Sequence, residues 1–268
     1  MTKNMINFIV VCAILYATLV VVMTVFQRKL LYHPDKHIGA AEQYGLVGFS
    51  EYFVKTADGI SVQMWYKPAK AGEKTIIYYH GNASHIGNRA GIYSALAGEG
   101  FGVLALSYRG YGKSDGEPSE QGIYSDARSA INFLTETQKI PLDKIILYGE
   151  SLGSGVAVQM ASEQKFAALV LQAPYTSVTN RAAEIYWFLP VRLMLRDHFE
   201  SLNKISLVKS PVLIFHGELD ATIPIEHGKQ LLAAANEPKQ AVFFADVEHN
   251  NFDSGVIADH VREFVGGQ

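Results

Sequence analysis

From residue 51 onward, apolar runs of four to seven residues alternate with longer stretches whose apolar residues recur at helical spacing, and few topologies accept that alternation. Strands are predicted over 51–55, 61–67, 75–79, 103–106, 144–148, 167–171, 212–215 and 241–245, where β-branched and aromatic residues lie between turn residues. Helices are predicted over 87–97, 119–137, 152–162, 225–235 and 254–265. The first two strands are separated only by a turn at Ala57-Asp58-Gly59. A hairpin followed by strand-helix alternation gives a mostly parallel central sheet with helices on both faces. Chemistry in such sheets sits beyond the carboxyl ends of the strands. One stretch departs from the rhythm: about 40 residues between 171 and 212, including YTSVTNRAAEIYWFLPVRLMLRDHF, are rich in aromatics and large aliphatics. They predict a short helical cap over about 175–209, rather than an ordinary crossover.

Apolar residues make up 49% of the 268 and charged ones 18%, enough to bury a sizeable core and to exclude a disordered chain. A net charge of −3 offers no basic field for phosphates, so no nucleic-acid partner is expected. The single cysteine, Cys12, forbids an intramolecular disulfide and any multi-cysteine metal site.

Apolar residues concentrate at the front. Residues 8–26, FIVVCAILYATLVVVMTVF, are apolar at 17 of 19 positions and carry no charge. As a helix they span about 28 Å, close to the roughly 30 Å of bilayer hydrocarbon. The polar exit Gln27-Arg28-Lys29 has no small-x-small cleavage pattern, which favours an uncleaved single-pass membrane anchor over residues 1–27. Lys3 on one flank and Arg28, Lys29 and Lys36 on the other do not choose a side of the membrane. After residue 27 no repeat or low-complexity tract appears, so 28–268 reads as one folded unit.

Gly149-Glu150-Ser151-Leu152-Gly153 lies between a predicted strand and a predicted helix. A nucleophile on so tight a turn takes a strained backbone conformation, and glycines two before and two after remove the Cβ clashes it would create. The helix N-terminus that follows aims amides and positive dipole at the reacting centre. Gly155 is expected to let this helix pack close to the sheet. Serine needs a base, and the base needs an orienting acid. Of nine histidines, only His249 falls in a loop between the last strand and the last helix. His227 and His260, inside helices, are expected at the surface. For the acid, the loop His216-Gly217-Glu218-Leu219-Asp220 offers Asp220, with Glu218 as its neighbour and rival, while Asp246 and Glu248 lie too near His249 along the chain. The N–H of Leu152 and that of Asn82, in the loop His80-Gly81-Asn82-Ala83-Ser84, are the expected oxyanion donors. Asn82-Ala83-Ser84 is formally a glycosylation sequon, but a strand end is too enclosed for a glycan. Gly110-Tyr111-Gly112-Lys113-Ser114 lacks the first glycine and the following helix of a phosphate loop, and no histidine-carboxylate spacing supports a metal.

With these residues together the chain resembles the α/β-hydrolase superfamily, and within it a membrane-anchored, short-cap branch that includes α/β-hydrolase domain-containing protein thirteen and its yeast bud-emergence relatives. The stretches that carry the resemblance are QRKLLYHPD, YYHGNASHIGNR, SYRGYGKSDGEPSEQGIYSDA, YGESLGSGVA, WFLPVRLMLRDHF, VLIFHGELDATIP and EHNNF. The resemblance implies Ser151 as nucleophile, Asp220 as acid, His249 as base, and the Asn82 and Leu152 amides as oxyanion donors. One departure is local: relatives often have aspartate where Asn251 stands.

The expected function is hydrolysis of an ester or thioester of an acyl or lipophilic small molecule, lipids included, by a membrane-held serine hydrolase that needs no cofactor or metal. Two other readings stand beside it. A serine peptidase of the same fold would offer a carboxylate to a substrate amine, with Glu150 and Glu184 as candidates. A catalytically silent, membrane-tethered interaction protein would keep the fold without the chemistry.

Overall fold

The computed structural model describes residues 2–267. The first element, α1 (Lys3–Leu31), is one continuous helix of 29 residues, so the expected boundary at residue 27 falls inside it. Nearly all its side chains are exposed; Gln27 alone is buried. The chain leaves it through β1 (His33–Pro34), passes a 3-10 turn at Ala41–Tyr44, and enters the hairpin β2 (Ser50–Lys55) and β3 (Ser61–Lys67). Then follow β4 (Thr75–Tyr79), the two-residue β5 (Ala83–Ser84), α2 (Ala90–Gly98), β6 (Gly102–Leu106), α3 (Glu120–Asn132), β7 (Ile145–Glu150), α4 (Leu152–Glu163) and β8 (Ala168–Gln172).

The segment between β8 and β9 (Val212–Gly217) holds α5 (Val178–Ile185), α6 (Val191–Met194) and α7 (Leu202–Ile205). It forms the helical layer expected over the strand ends. The chain closes with α8 (Ile225–Ala234), β10 (Lys239–Phe244) and α9 (Ser254–Gly266). Helix starts follow local capping chemistry: the Ser119, Ser177 and Asp253 side chains accept from the amides of Gly122, Asn180 and Val256, opening α3, α5 and α9.

Eight strands form one sheet in the order β10-β9-β8-β7-β4-β6-β3-β2. The β2-β3 and β3-β6 pairs are antiparallel and the remaining pairs are parallel. Parallel strands buried on both faces read as unbroken apolar runs, as in the fully buried β4, TIIYY. One core packs between the sheet and α3, α4 and α8, around Ile77, Leu147, Leu171 and Val156. The other packs against α2 and α9, around Trp65, Tyr78, Tyr148 and Phe215. The strand order reverses direction between β4 and β7, and a crevice opens there at the carboxyl ends of the strands. One small pairing escapes the periodicity: β1 lies parallel to β5, joining the exit of α1 to the loop after β4.

Candidate active site

Ser151 sits where β7 turns into α4, with φ +49° and ψ −116°. A serine pays for that conformation in strain, and the surroundings hold it there. Its amide donates to the Gln172 carbonyl at 2.9 Å, extending the β7-β8 ladder by one bond. Its carbonyl accepts from Ser154 Oγ at 2.6 Å. The flanking glycines are required by close approach. A Cβ on Gly149 would lie 2.5 Å from the Gly153 carbonyl oxygen, and one on Gly153 would overlap the Tyr79 carbonyl. Gly155 corrects its expectation: its open face meets Tyr175 and Phe199, which belong to the segment after β8, and not the sheet.

The structure brings Ser151, His249 and Asp220 together. His249 Nε2 is 3.0 Å from Ser151 Oγ, and His249 Nδ1 is 2.7 Å from Asp220 Oδ2. The carboxylate's other oxygen accepts from the Ile223 amide at 2.7 Å. The loops that carry Asp220 and His249 are joined by the Glu218 amide donating to the Phe244 carbonyl and the Leu219 amide donating to the Val247 carbonyl. Gly217 makes room for this, since a Cβ there would overlap the Val247 carbonyl. Burial pushes the Asp220 carboxyl up, but hydrogen bonds from His216, His249 and the Ile223 amide outweigh it and hold the group well below the usual carboxylate range. Glu218, Asp246 and Glu248 are exposed and stand apart from the cluster. Asn251 supplies a side-chain acceptor in the His249 turn, taking the Glu248 amide at 2.6 Å.

Asn82 and Leu152 both border the crevice beside Ser151. The Asn82 loop is braced from several sides. Tyr111 and the His33 amide donate to the Asn82 carbonyl at 2.7 and 3.0 Å, and Asn82 Nδ2 donates to the Leu31 carbonyl at 2.8 Å. His80 Nδ1 donates to the Gly81 carbonyl at 2.6 Å, while Tyr108 donates to the His80 carbonyl at 3.0 Å. Burial lowers the His80 imidazole to about 3, which keeps it neutral.

Beneath the loop lies an ion pair that the sequence does not announce. Arg89 reaches Glu150 at 3.1 and 3.2 Å, and Tyr78 donates to the same carboxylate at 2.7 Å. Burial raises Glu150, but Arg89 and the Tyr78 hydroxyl overcome it and the net shift is downward. Glu184 is likewise engaged, by Arg181 at 2.8 Å and His227 at 3.2 Å. His227 corrects its expectation: it is buried, with Nδ1 beside the Thr176 amide and hydroxyl. His260 is half-buried against Phe215 and Phe244.

The crevice opens into a cavity of about 430 Å³, within the roughly 300–1,000 Å³ typical of small-molecule sites. Its walls are largely apolar: Val178, Ala182, Ile185, Leu189, Val191 and Met194 from the segment after β8, and Met23, Leu30 and Leu31 from α1. That α1 forms a wall is invisible to periodicity, because Gln27 meets Met194 and Arg196 from 167 and 169 residues away. Among the described residues, no histidine, cysteine or carboxylate cluster suits a metal.

The family described as serine aminopeptidase, S33, matches residues 70–202. An uncharacterized protein of Mycobacterium tuberculosis is 38% identical over 244 residues, covering 89% of this chain and 87% of its own. Alpha/beta hydrolase domain-containing protein 17B of Homo sapiens is 28% identical over 221 residues, covering 80% of this chain and 74% of its own. Among solved structures, the esterase Pf2001 of Pyrococcus furiosus superposes with a TM-score of 0.72 at 20% identity, over 88% of this chain and 97% of its own. The sheet order, the strained turn at the switch point and these likenesses agree: the chain belongs to the α/β-hydrolase superfamily.

Proposed function

We propose that this protein is a membrane-anchored serine hydrolase that cleaves an ester or thioester of an acyl or lipophilic substrate. The observation that carries the reading is the relay from Ser151 Oγ through His249 to Asp220, at 3.0 and 2.7 Å, on a serine held at positive φ. In this reading Ser151 Oγ attacks the acyl carbonyl carbon and its proton passes to His249 Nε2. Asp220 accepts from Nδ1, fixes the tautomer and stabilises the imidazolium. The Asn82 and Leu152 amides receive the negative oxygen of the tetrahedral intermediate. When the carbonyl re-forms, the bond to the leaving oxygen or sulfur breaks and His249 returns the proton to it. Water, activated by the same imidazole, then adds to the acyl-enzyme and releases the acid.

An apolar cavity and structural neighbours that are esterases support an acyl substrate. The exposed, uncharged face of α1 supports an anchor, and the QRKLLYHPD stretch after it supports the anchored, short-cap branch. The division that fits this reading is an anchor over residues 1–27 and a hydrolase domain over 28–268.

The family description favours a second reading, an amino-terminal peptidase. That activity needs a carboxylate free to meet a substrate amine, and both candidates are already paired with arginine. Turnover of p-nitrophenyl acyl esters against aminoacyl anilides separates the two. The central test is labelling by a fluorophosphonate probe, which attaches to an activated serine. The wild-type chain is expected to label and Ser151→Ala to lose the label while keeping its circular dichroism spectrum. Persistent labelling of the variant points to another nucleophile, and a wild-type chain that never labels supports the silent interaction protein.

A further inference from the structure

The turn between α5 and α6 carries an apolar surface that the chemistry at Ser151 does not use. Ile185, Trp187, Phe188 and Leu193 are exposed, Trp187 at 81% and Leu193 at 89%. Large apolar side chains gathered on one short segment mark an interaction surface. Contacts with α1 give its position. Arg28 pairs with Asp197, and Gln27 bonds Met194 and Arg196, so residues 194–197 lie level with the polar end of the helix. The Tyr16 hydroxyl, in contrast, donates to the Phe188 carbonyl at 2.9 Å. Tyr16 and Gln27 are eleven residues apart, about 16 Å of helical rise. The tip therefore runs beside the uncharged stretch of α1.

Part of its backbone is satisfied within the segment: the amides of Tyr186, Leu189, Val191 and Leu193 donate to its own carbonyls. Lys29 and Arg196 are exposed at the polar end, where cationic side chains meet phospholipid headgroups.

We infer that the side chains of Ile185, Trp187, Phe188 and Leu193 are immersed in the same bilayer leaflet as α1, with Arg192 turned back to Asn180 at 3.0 Å, and that the acyl chain enters the cavity sideways from that leaflet, between α1 and this tip. Met23 and Leu30 form one side of the cavity and Ile185, Leu189 and Met194 another, and each side continues outward into an exposed apolar surface. The substrate class is then a bilayer-resident acyl lipid rather than a water-soluble ester. This inference rests on the anchored-hydrolase reading.

The two tryptophans make the placement measurable, because Trp65 is fully buried and Trp187 is not. The full chain is reconstituted in phosphatidylcholine vesicles whose acyl chains carry bromine. Trp187 emission is expected to be quenched by the brominated chains and sheltered from aqueous iodide, and Trp187→Phe to abolish the quenchable component while Trp65 emission persists. Quenching by iodide alone puts the tip in water and overturns the placement. Quenching by neither agent means that protein, such as a second copy of the chain, covers the tip, and overturns it too.

Entry is tested with Leu193→Ser, expected to lower turnover of a vesicle-resident ester roughly tenfold while leaving a soluble short-chain ester within about twofold. Equal loss on both esters overturns the route. The quenching needs no catalysis, so an embedded tip on a chain that never labels with fluorophosphonate overturns the hydrolase reading and the substrate assignment while leaving the placement standing.

Discussion

Replacing Gln27 by alanine tests whether α1 is a working wall of the cavity. Gln27 is 9% exposed and makes two bonds across to the segment after β8: Nε2 donates to the Met194 carbonyl at 3.0 Å, and Oε1 accepts from the Arg196 amide at 2.7 Å. Gln27→Ala removes both and leaves the Met194 carbonyl and the Arg196 amide to water. At about 0.5–1.5 kcal/mol net for each hydrogen bond, the contact between α1 and α6 weakens by about 1–3 kcal/mol. Since about 1.4 kcal/mol is a factor of ten, the docking equilibrium shifts by about 5-fold to 150-fold. Arg28 and Tyr16 still hold the segment at its edges, so detachment is partial.

Native-state hydrogen exchange on the full chain reads this directly. Amides of α5 and α6 are expected to lose protection by that factor while β4 and β7 keep theirs. KM for a long-chain ester is expected to rise, with kcat for a short-chain ester nearly unchanged. Gln27→Glu keeps the acceptor for Arg196 and loses the donor to Met194, so it should fall between the two. Unchanged exchange in α5 and α6 would refute the argument, and so would a uniform loss across the sheet, which would mean that Gln27 supports the whole fold instead of this contact.

Asp220→Asn keeps the shape but offers His249 Nδ1 the wrong partner, and kcat is expected to fall by about 10⁴-fold with folding intact; stopped-flow ester hydrolysis measures it. Gly153→Ala places a Cβ 2.5 Å from the Tyr79 carbonyl carbon and 2.9 Å from the His80 oxygen. Relief requires α4 to move about 1 Å, and the rate of fluorophosphonate labelling should drop by about 10² or more. His80 carries a pH signature. Its imidazole, held near 3 by burial, takes up a proton near 6.5 once unfolded, so its share of stability is complete above pH 6.5 and is lost as pH falls toward 3. The difference in unfolding free energy between wild type and His80→Phe, read from urea titrations, should therefore change over that window in favour of the variant, by at most about 5 kcal/mol.

Local chemistry made much of this fold legible. The alternation of apolar runs located the strands of the large sheet, with ends shifted by one or two residues, because a strand buried on both faces leaves a continuous apolar signature. The Gly149 to Gly153 turn was legible because close approach forbids a Cβ at its glycines. Burial of His227 was hidden, because its partner Thr176 lies 51 residues away and no helical periodicity reports it. The role assigned to Gly155 failed for a related reason: its neighbours Tyr175 and Phe199 arrive from a segment with no regular pattern. Arg89 and Glu150 were each visible as charges, but their pairing under the Asn82 loop depends on β4 and β7 lying side by side in the sheet. The wall supplied by α1 was the least legible feature, since an apolar helix looks alike whether or not one of its faces is in use.

The bond from Asn82 to Leu31, and the β1-β5 pairing beside it, impose an order of assembly on the molecule. Residues 27–34 are synthesised before their partners, which appear only when residues 82–84 and then 194–197 have been made. Until then the polar end of α1 has nothing to hold, and the loop beside Ser151 has no final shape. The polar end of α1 is thus made well before the residues that hold it. A chain whose N-terminal helix is delayed or misdirected should accumulate with its sheet formed and its serine unreactive, a kinetic defect that no substitution near Ser151 would imitate.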